Sequence, residues 1–587
     1  MHLRFFDLGK SYNGKTVFNN IRGEINGADK IGLVGFNGIG KTTLVRLLTG
    51  REAYDTGKIE YSPNQLKILY IEQNPLFDPQ KSVYETIFNA ALNSNNKAKD
   101  IQTIAKKSLN IIGLSEEKWP QKVITLSGGE KTKLELGRIL VSDFDLLILD
   151  EPTNHLDIQS CEWLEKFVRK LGKPMLAISH DRYFLDHVAN KIWELTARGL
   201  NIYEGNYSVY RDQKEIELKS ITREYDKQQT RIQQLKQVIH ERENWYKRAH
   251  KAAGQNDFYR AKAKKHAHVL KAKEKELARV EKVKIDKPDQ PVSPAFEVIN
   301  KSITGKKYPP IIVQGEKLDK SFADKVIFEG VSFSIKRGDK IALLGANGVG
   351  KTTFLKTICG LDKDYHGTVA INPSVKIGYF AQELNNLQSD ASIIDNVLDE
   401  GATAVEARLL LACLLFRGDD VFKKVDNLSM GERGRVAFAK LILSGADLLI
   451  LDEPINYMDI ASKEKIEEVL IEFNGIILFV CHDRYFIQRL ANRVFIIANQ
   501  KLNCYEGGYD YYLSKYREQL VKDQIGAIYE DLSDSIRRLE CELAFLGAKL
   551  NEKIDEKDKE LLNERFLATA KELNAKKERL KYSPRGR

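Results

Sequence analysis

Two nine-residue segments, GFNGIGKTT at Gly35–Thr43 and GANGVGKTT at Gly345–Thr353, carry the residue types that hold a nucleotide's phosphates. Gly35, Gly38 and Gly40 let the backbone wrap anionic oxygens with its amides, while the following helix points its N-terminus at them. Lys41 is placed to neutralise charge at the β- and γ-phosphates and the Thr42 hydroxyl to meet Mg²⁺, with Asn37 and Thr43 in the same binding run. Gly345, Asn347, Gly348, Gly350, Lys351, Thr352 and Thr353 repeat the set 310 residues on. Asp150 and Asp452 end apolar LLIL runs, where a carboxylate would hold Mg²⁺ through water. The next residues, Glu151 and Glu453, are placed to polarise the attacking water. The chemistry these residues imply is ATP binding and hydrolysis.

The elements that position these groups come in two copies. LSGGE at Leu126–Glu130 recurs as LSMGE at Leu428–Glu432, LLILDEP at Leu146–Pro152 recurs at Leu448–Pro454, and His180 recurs as His482, all 302 residues apart. A fixed period of this kind means duplicated folded units. Alternating short Val/Ile/Leu strands and amphipathic stretches give each copy an α/β reading, with the first cassette at about 1–205 and the second at about 311–510. Gln73 and Gln382 are 309 apart, so the first copy is seven residues longer between its glutamine and its signature, too few for an inserted subdomain.

Between the cassettes, at about 206–310, the composition changes. Leu218, Tyr225, Ile232, Ile239 and Tyr246 recur every seven residues with Ile221 and Leu235 at the companion position, one seam of a coiled coil. The pattern breaks at Gly254–Asp257, resumes through Leu270, Leu277 and Val280, and ends near Pro288–Pro294, which predicts a long antiparallel helical hairpin. From Arg231 to Val280 there are 14 Lys and Arg against five Asp and Glu, nearly the whole of the chain's net charge of +10. Such a run is either a solvated helix face or a surface for a polyanion, and its concentration in one projecting element favours the polyanion. The hairpin end carries Trp245, Tyr246, Lys247, Arg248, His250, Lys251, Gln255, Asn256, Phe258, Tyr259 and Arg260. Aromatic and basic groups there suit stacking on bases or insertion into an RNA cleft, the bland alternative being a rigid spacer with a capped end. The region 511–587 reads as a C-terminal helical extension, broken near Ile554–Lys559, with a basic tail.

No apolar run approaches the ~18–20 residues that span a bilayer. The N-terminus lacks the apolar core of a signal peptide, and the six cysteines are scattered without disulfide-like spacing, which together point to a reducing cytoplasm.

Phosphate loop, glutamine, LSGGE-type signature, DEP strand and SHD-type histidine, in this order and twice, resemble the ATP-binding cassette (ABC) family. The resemblance implies that Tyr12 and Phe322 stack on adenine, that Gln73 and Gln382 touch Mg²⁺ and water, and that His180 and His482 bind the γ-phosphate. It also implies that signatures act in trans: Ser429 and Gly431 would complete the Lys41 site, and Ser127, Gly128 and Gly129 the Lys351 site. Both cassettes lie in one chain, so no obligate homodimer is required. Two departures fall on the half that completes the Lys41 site. Met430 replaces the signature glycine, and Ile455-Asn456-Tyr457-Met458-Asp459 replaces the Thr-Asn-His-Leu-Asp pattern kept at Thr153–Asp157. The expectation is slower hydrolysis at the Lys41 site than at the Lys351 site.

Two fused cassettes, no membrane domain and a basic helical linker resemble the ABC-F family in particular. Membership implies cytoplasmic ATPases that enter the ribosomal E site, with the linker reaching P-site tRNA and large-subunit RNA near the peptidyl-transferase centre. The missing arm between Gln73 and Leu126, the SMGER-type second signature and the C-terminal extension resemble the antibiotic-resistance branch of Vga/VmlR type. That branch protects ribosomes from lincosamides, pleuromutilins and streptogramin A. The alternatives are a translation factor acting on stalled ribosomes and, from another class, the ATPase of a membrane exporter or a DNA-maintenance machine.

Overall fold

The computed structural model describes residues 1–73, 77–94, 100–154, 156–252, 257–283, 296–303, 305–306, 308–322, 325–381, 387–398, 402–550 and 556–581. The chain divides into two compact units. Met1–Leu490 with Ile496–Asn503 contains the first cassette, the linker helices and most of the second cassette, and Ala491–Phe495 with Cys504–Arg587 is the other.

In the first cassette a six-stranded sheet runs in the order Ile68–Ile71, Leu146–Asp150, Met175–Ile178, Lys30–Val34, Lys191–Thr196, Gly199–Glu204. The first five strands are parallel and the last is antiparallel. Strands covered on both faces must be apolar throughout, and Leu146–Asp150 and Met175–Ile178 are buried at every position. The register pairs Asp150 with Ile178, and Leu33 with Ile178 from the other side. The carboxyl ends of three strands therefore deliver Gly35, Asp150 and His180 to one edge, the place where parallel sheets bind ligands. A second, three-stranded antiparallel sheet is centred on His2–Tyr12. The second cassette repeats the parallel core as Ile377–Phe380, Leu448–Asp452, Ile476–Val480 and Lys340–Leu344.

The signature motifs start helices Gly128–Val141 and Met430–Leu443. Ser127 and Ser429 are their N-caps, each in a capping box with the glutamate three residues on (Glu130, Glu432), so the S-x-x-E spacing is itself what begins the helix.

The linker forms helices Tyr207–Ala252 and Asp257–Lys282. The first has 46 residues, a length of ~69 Å at 1.5 Å per residue. The seam is shorter than its sequence period. Ile232 and Leu235 are buried, but Leu218 and Ile221 are exposed. The return helix has only 26 residues, and the Gln228 side chain already donates to the carbonyl of Val283, just past its end. Nothing on the return helix therefore lies opposite Leu218. Arg231–Glu276 and Lys236–Glu281 (3.0 Å) tie the paired stretch. Among the described residues no helix is long and apolar enough to cross a membrane.

The other unit pairs helices Tyr509–Leu550 and Glu556–Lys581, bridged by Lys577–Glu540 at 2.6 Å and Arg565–Glu542 at 2.8 Å.

Candidate nucleotide-binding sites

Each phosphate loop is closed by its own lysine. Lys41 Nζ donates to the carbonyls of Gly35 (2.8 Å) and Phe36 (3.1 Å), and Lys351 Nζ to those of Gly345 (2.9 Å) and Ala346 (3.0 Å). Gly40 and Gly350 precede the helices with φ of 104° and 102°, left-handed backbone that favours glycine. A Cβ at either would also sit within 2.4 Å of Val17 or 2.2 Å of Ile327. The Thr42 hydroxyl donates to Asp150 Oδ2 at 3.0 Å, and Tyr70 donates to the same oxygen at 3.1 Å.

Glu151 and Glu453 follow their strands with φ of 50° and 51°, strained for glutamate and repeated in both copies. Burial pushes the Glu151 carboxyl up to about 7 and raises that of Glu453 as well. Burial likewise raises Asp150 and Asp452 and lowers Lys41 and Lys351. The His180 ring lies 3.4 Å from Glu151 and the His482 ring 3.3 Å from Glu453. Burial holds His180 well below the usual imidazole range and His482 at about 3, so both are neutral at pH 7.

Two cavities lie between the cassettes. The Lys41 cavity, about 480 Å³, brings Asn37, Gly38, Gly40, Thr42, Thr43, Gln73, Asp150, Glu151 and His180 together with Ser429, Met430 and Gly431. The Lys351 cavity, about 850 Å³, joins Asn347, Gly348, Gly350, Thr352, Thr353, Asp452, Glu453 and His482 to Ser127, Gly128 and Gly129. Each signature thus faces the other cassette's phosphate loop. The tight position is Gly431, where a Cβ would lie 2.7 Å from the Tyr457 carbonyl. A Cβ at Gly128, the counterpart of Met430, would meet nothing within 4 Å. The fold therefore accommodates a side chain at position 430, and Met430 lines the Lys41 cavity.

Tyr12 and Phe322 stand outside the cavity walls on exposed strand ends. Tyr12 is bonded to Glu52 with Lys10 against its ring, and Lys320 lies 4.6 Å from the Phe322 ring centroid. Gln382 lies outside the described residues, as do Gln255 and Asn256 of the hairpin end and the side chains of Tyr246, His250, Lys251, Phe258, Tyr259 and Arg260. Trp245, Lys247 and Arg248 are exposed on the first linker helix.

Two tyrosines had no motif to announce them. Tyr70 and Tyr379 each stand three residues before a glutamine, a repeat that comparison of the two copies would have exposed. Asn37 reaches across the interface, its side chain donating to the Tyr457 carbonyl at 3.0 Å and its backbone amide to Asp459 at 3.2 Å.

The residues present fit a triphosphate with a divalent cation. Asp452 Oδ2 and both Glu453 carboxylate oxygens are buried and accept no hydrogen bond among the described residues. Buried carboxylate oxygens left unfilled beside a buried lysine suit a cation and a proton-bearing ligand.

The ABC transporter family model matches residues 18–154 and 328–456. ABC transporter F family member 5 of Arabidopsis thaliana is 34% identical over 88% of this chain and 78% of its own length. The ribosome protection protein VmlR of Bacillus subtilis is 34% identical over 83% of this chain and 84% of its own. A solved structure of an RNase-L Inhibitor shares the fold, with a TM-score of 0.60 at 18% identity, covering 87% of this chain and 92% of that one. Tandem cassettes whose signatures face each other's phosphate loops, with relatives at 34% identity over more than four-fifths of this chain, make it a member of the ABC-F family, an ATPase that uses ATP with Mg²⁺.

Proposed function

We propose that this ATPase works on the ribosome, entering the E site in its ATP-bound form and holding the hairpin end beside P-site tRNA and the peptidyl-transferase centre. There it protects translation from lincosamides, pleuromutilins and streptogramin A. The observation that carries the reading is the long basic hairpin spliced between two cassettes that share their nucleotide sites. Ribosomal RNA is a dense phosphate surface that such a hairpin fits, and ATP binding across the interface supplies the closure that commits it. The relative VmlR, named a ribosome protection protein, supports the same direction. A cytoplasmic location follows from that partner. In functional terms the chain divides into 1–205, 206–310, 311–510 and 511–587.

Within each site the proposed roles are these. Gly38, Gly40, Lys41 and Thr43 hold phosphates from one side, and Ser429 and Gly431 from the other. Gly348, Gly350, Lys351 and Thr353 face Ser127, Gly128 and Gly129 in the same way. Thr42, Asp150 and Gln73 would hold Mg²⁺ in one site, and Thr352, Asp452 and Gln382 in the other, where the ion screens phosphate charge. Glu151 and Glu453 orient water, with neutral His180 and His482 donating toward the γ-phosphate. Tyr12 and Phe322 offer ring faces to adenine at the outer ends of the strands.

A second reading is a translation factor for stalled ribosomes without a resistance role. It is favoured by another relative, the energy-dependent translational throttle protein EttA of Escherichia coli, 30% identical over 85% of this chain and 91% of its own length. Purified protein added to a translation reaction stalled by one drug of each class separates the two. Restored synthesis with any class, absent for the Glu151→Gln/Glu453→Gln variant, is the expected result. No restoration with all three would favour the translation-factor reading.

A further inference from the structure

Lys463 stands where the duplication is broken, since its counterpart 302 residues earlier is Cys161. Its ammonium belongs to the second cassette, yet donates to the backbone carbonyl of His180 in the first at 3.0 Å. It also lies 3.5 Å from Asp483 of its own cassette, with its side chain only 12% exposed. Asp483 is itself within 3.6 Å of Arg182, which follows His180 by two residues. Lys463 faces both nucleotide cavities.

The contact falls on a sensitive peptide. The His180 amide donates to Glu151 Oε2 at 3.2 Å, and its ring lies 3.2 Å from the Asn37 side chain and 3.4 Å from Glu151 Oε1. Fixing the carbonyl of this residue therefore fixes the neighbouring amide and imidazole that set the Glu151 carboxylate. A charge-assisted bond inside a poorly hydrated interface is worth more than the same bond in water. On the other side the device is missing. Cys161 is buried, and burial pushes its thiol far above the usual range, so it stays neutral and offers Asp181 and the His482 segment no cation.

We infer that Lys463 is a positioning residue for the Lys41 site, tying the His180 peptide, and with it Glu151, to the opposite cassette. Among the described residues no lysine or arginine side chain bonds the His482 carbonyl in the same way. The two sites thus differ in how the water-orienting glutamate is held as well as in their signatures. The inference rests on the roles given above to Glu151 and His180.

The test uses the full chain in two backgrounds: Glu453→Gln, in which the Lys41 site turns over, and Glu151→Gln, in which the Lys351 site does. Lys463→Met added to the first lowers kcat about tenfold with KM for ATP changed less than about twofold, and added to the second lowers kcat less than about threefold. Lys463→Arg restores most of the loss in the first background, and Lys463→Gln, which keeps a donor without charge, falls between. Equal losses in both backgrounds, a change confined to KM, or no recovery with arginine would overturn the inference. Combining Glu151→Gln with Glu453→Gln tests the underlying roles separately. Turnover that survives the pair removes the assignment of the glutamates, and the inference with it.

Discussion

Arg484 of the second cassette sets its guanidinium against the Glu165 carboxylate of the first, 319 residues away, with both groups buried. Arg182 and Glu467 form the mirror pair, and each arginine lies over the other cassette's tyrosine, Arg484 on Tyr183 at 3.7 Å and Arg182 on Tyr485 at 5.5 Å. The mirror is imperfect because Glu467 also has Arg489 at 2.9 Å. Removing one partner of a buried pair strands the other charge at a cost of ~3–5 kcal/mol. Arg484→Ala and Arg182→Ala should therefore each destabilise the folded chain by about that much, read from denaturant midpoints, the second because Asp483 at 3.6 Å also loses its partner although Glu467 keeps Arg489. An unchanged midpoint for either variant would contradict the pairing.

The second signature should slow one site. Met430 occupies space in the smaller cavity, beside Lys41. Glu453→Gln, which leaves only the Lys41 site, should therefore lose more ATP turnover than Glu151→Gln. Met430→Gly should raise kcat in the Glu453→Gln background by about threefold, ~0.65 kcal/mol of barrier. Unequal losses in the opposite sense would contradict the assignment.

Tyr70 steadies a carboxylate proposed for Mg²⁺ by donating to Asp150 Oδ2 at 3.1 Å. Loss of such an outer partner costs ~10-fold or more in metal affinity. Tyr70→Phe should raise the Mg²⁺ concentration needed for half-maximal turnover in the Glu453→Gln background, and EDTA should abolish turnover in every variant.

Asp447 anchors the chain entering the second cassette, accepting from Lys306 Nζ at 2.7 Å and from the Lys376 amide at 2.9 Å, with Tyr308 on the same oxygen as Lys306. Burial alone would raise its carboxyl, but these donors outweigh it and hold it below the usual range. A depressed carboxyl contributes stability above its unfolded pKa of ~3.9 and loses it as pH falls through the folded value. Asp447→Asn should cost ~1–3 kcal/mol at pH 7. The gap between variant and parent should narrow below about pH 4 in a pH series of unfolding midpoints.

The parts that could be read in advance were those whose chemistry forces both residue type and spacing. Phosphate-loop glycines, the LSGGE-type signatures and the all-apolar LLIL strands belong to that class, and their repetition multiplied the signal. Single residues acting across the interface have no such spacing. Lys463 and the Arg484–Glu165 pair become meaningful only when the two cassettes are set face to face. The linker shows the opposite failure. Its seven-residue period runs on through Leu218 and Ile221, yet a period records a helix face and not where its partner helix stops.

The central claim is that ATP-bound closure places this protein on the ribosome. Co-sedimentation of the Glu151→Gln/Glu453→Gln variant with ribosomes at moderate salt, with and without ATP, tests it most directly. ATP-dependent accumulation in the ribosomal fraction is expected, reduced when Trp245, Lys247 and Arg248 are replaced together by alanine. A variant that stays in the supernatant with ATP present would contradict it.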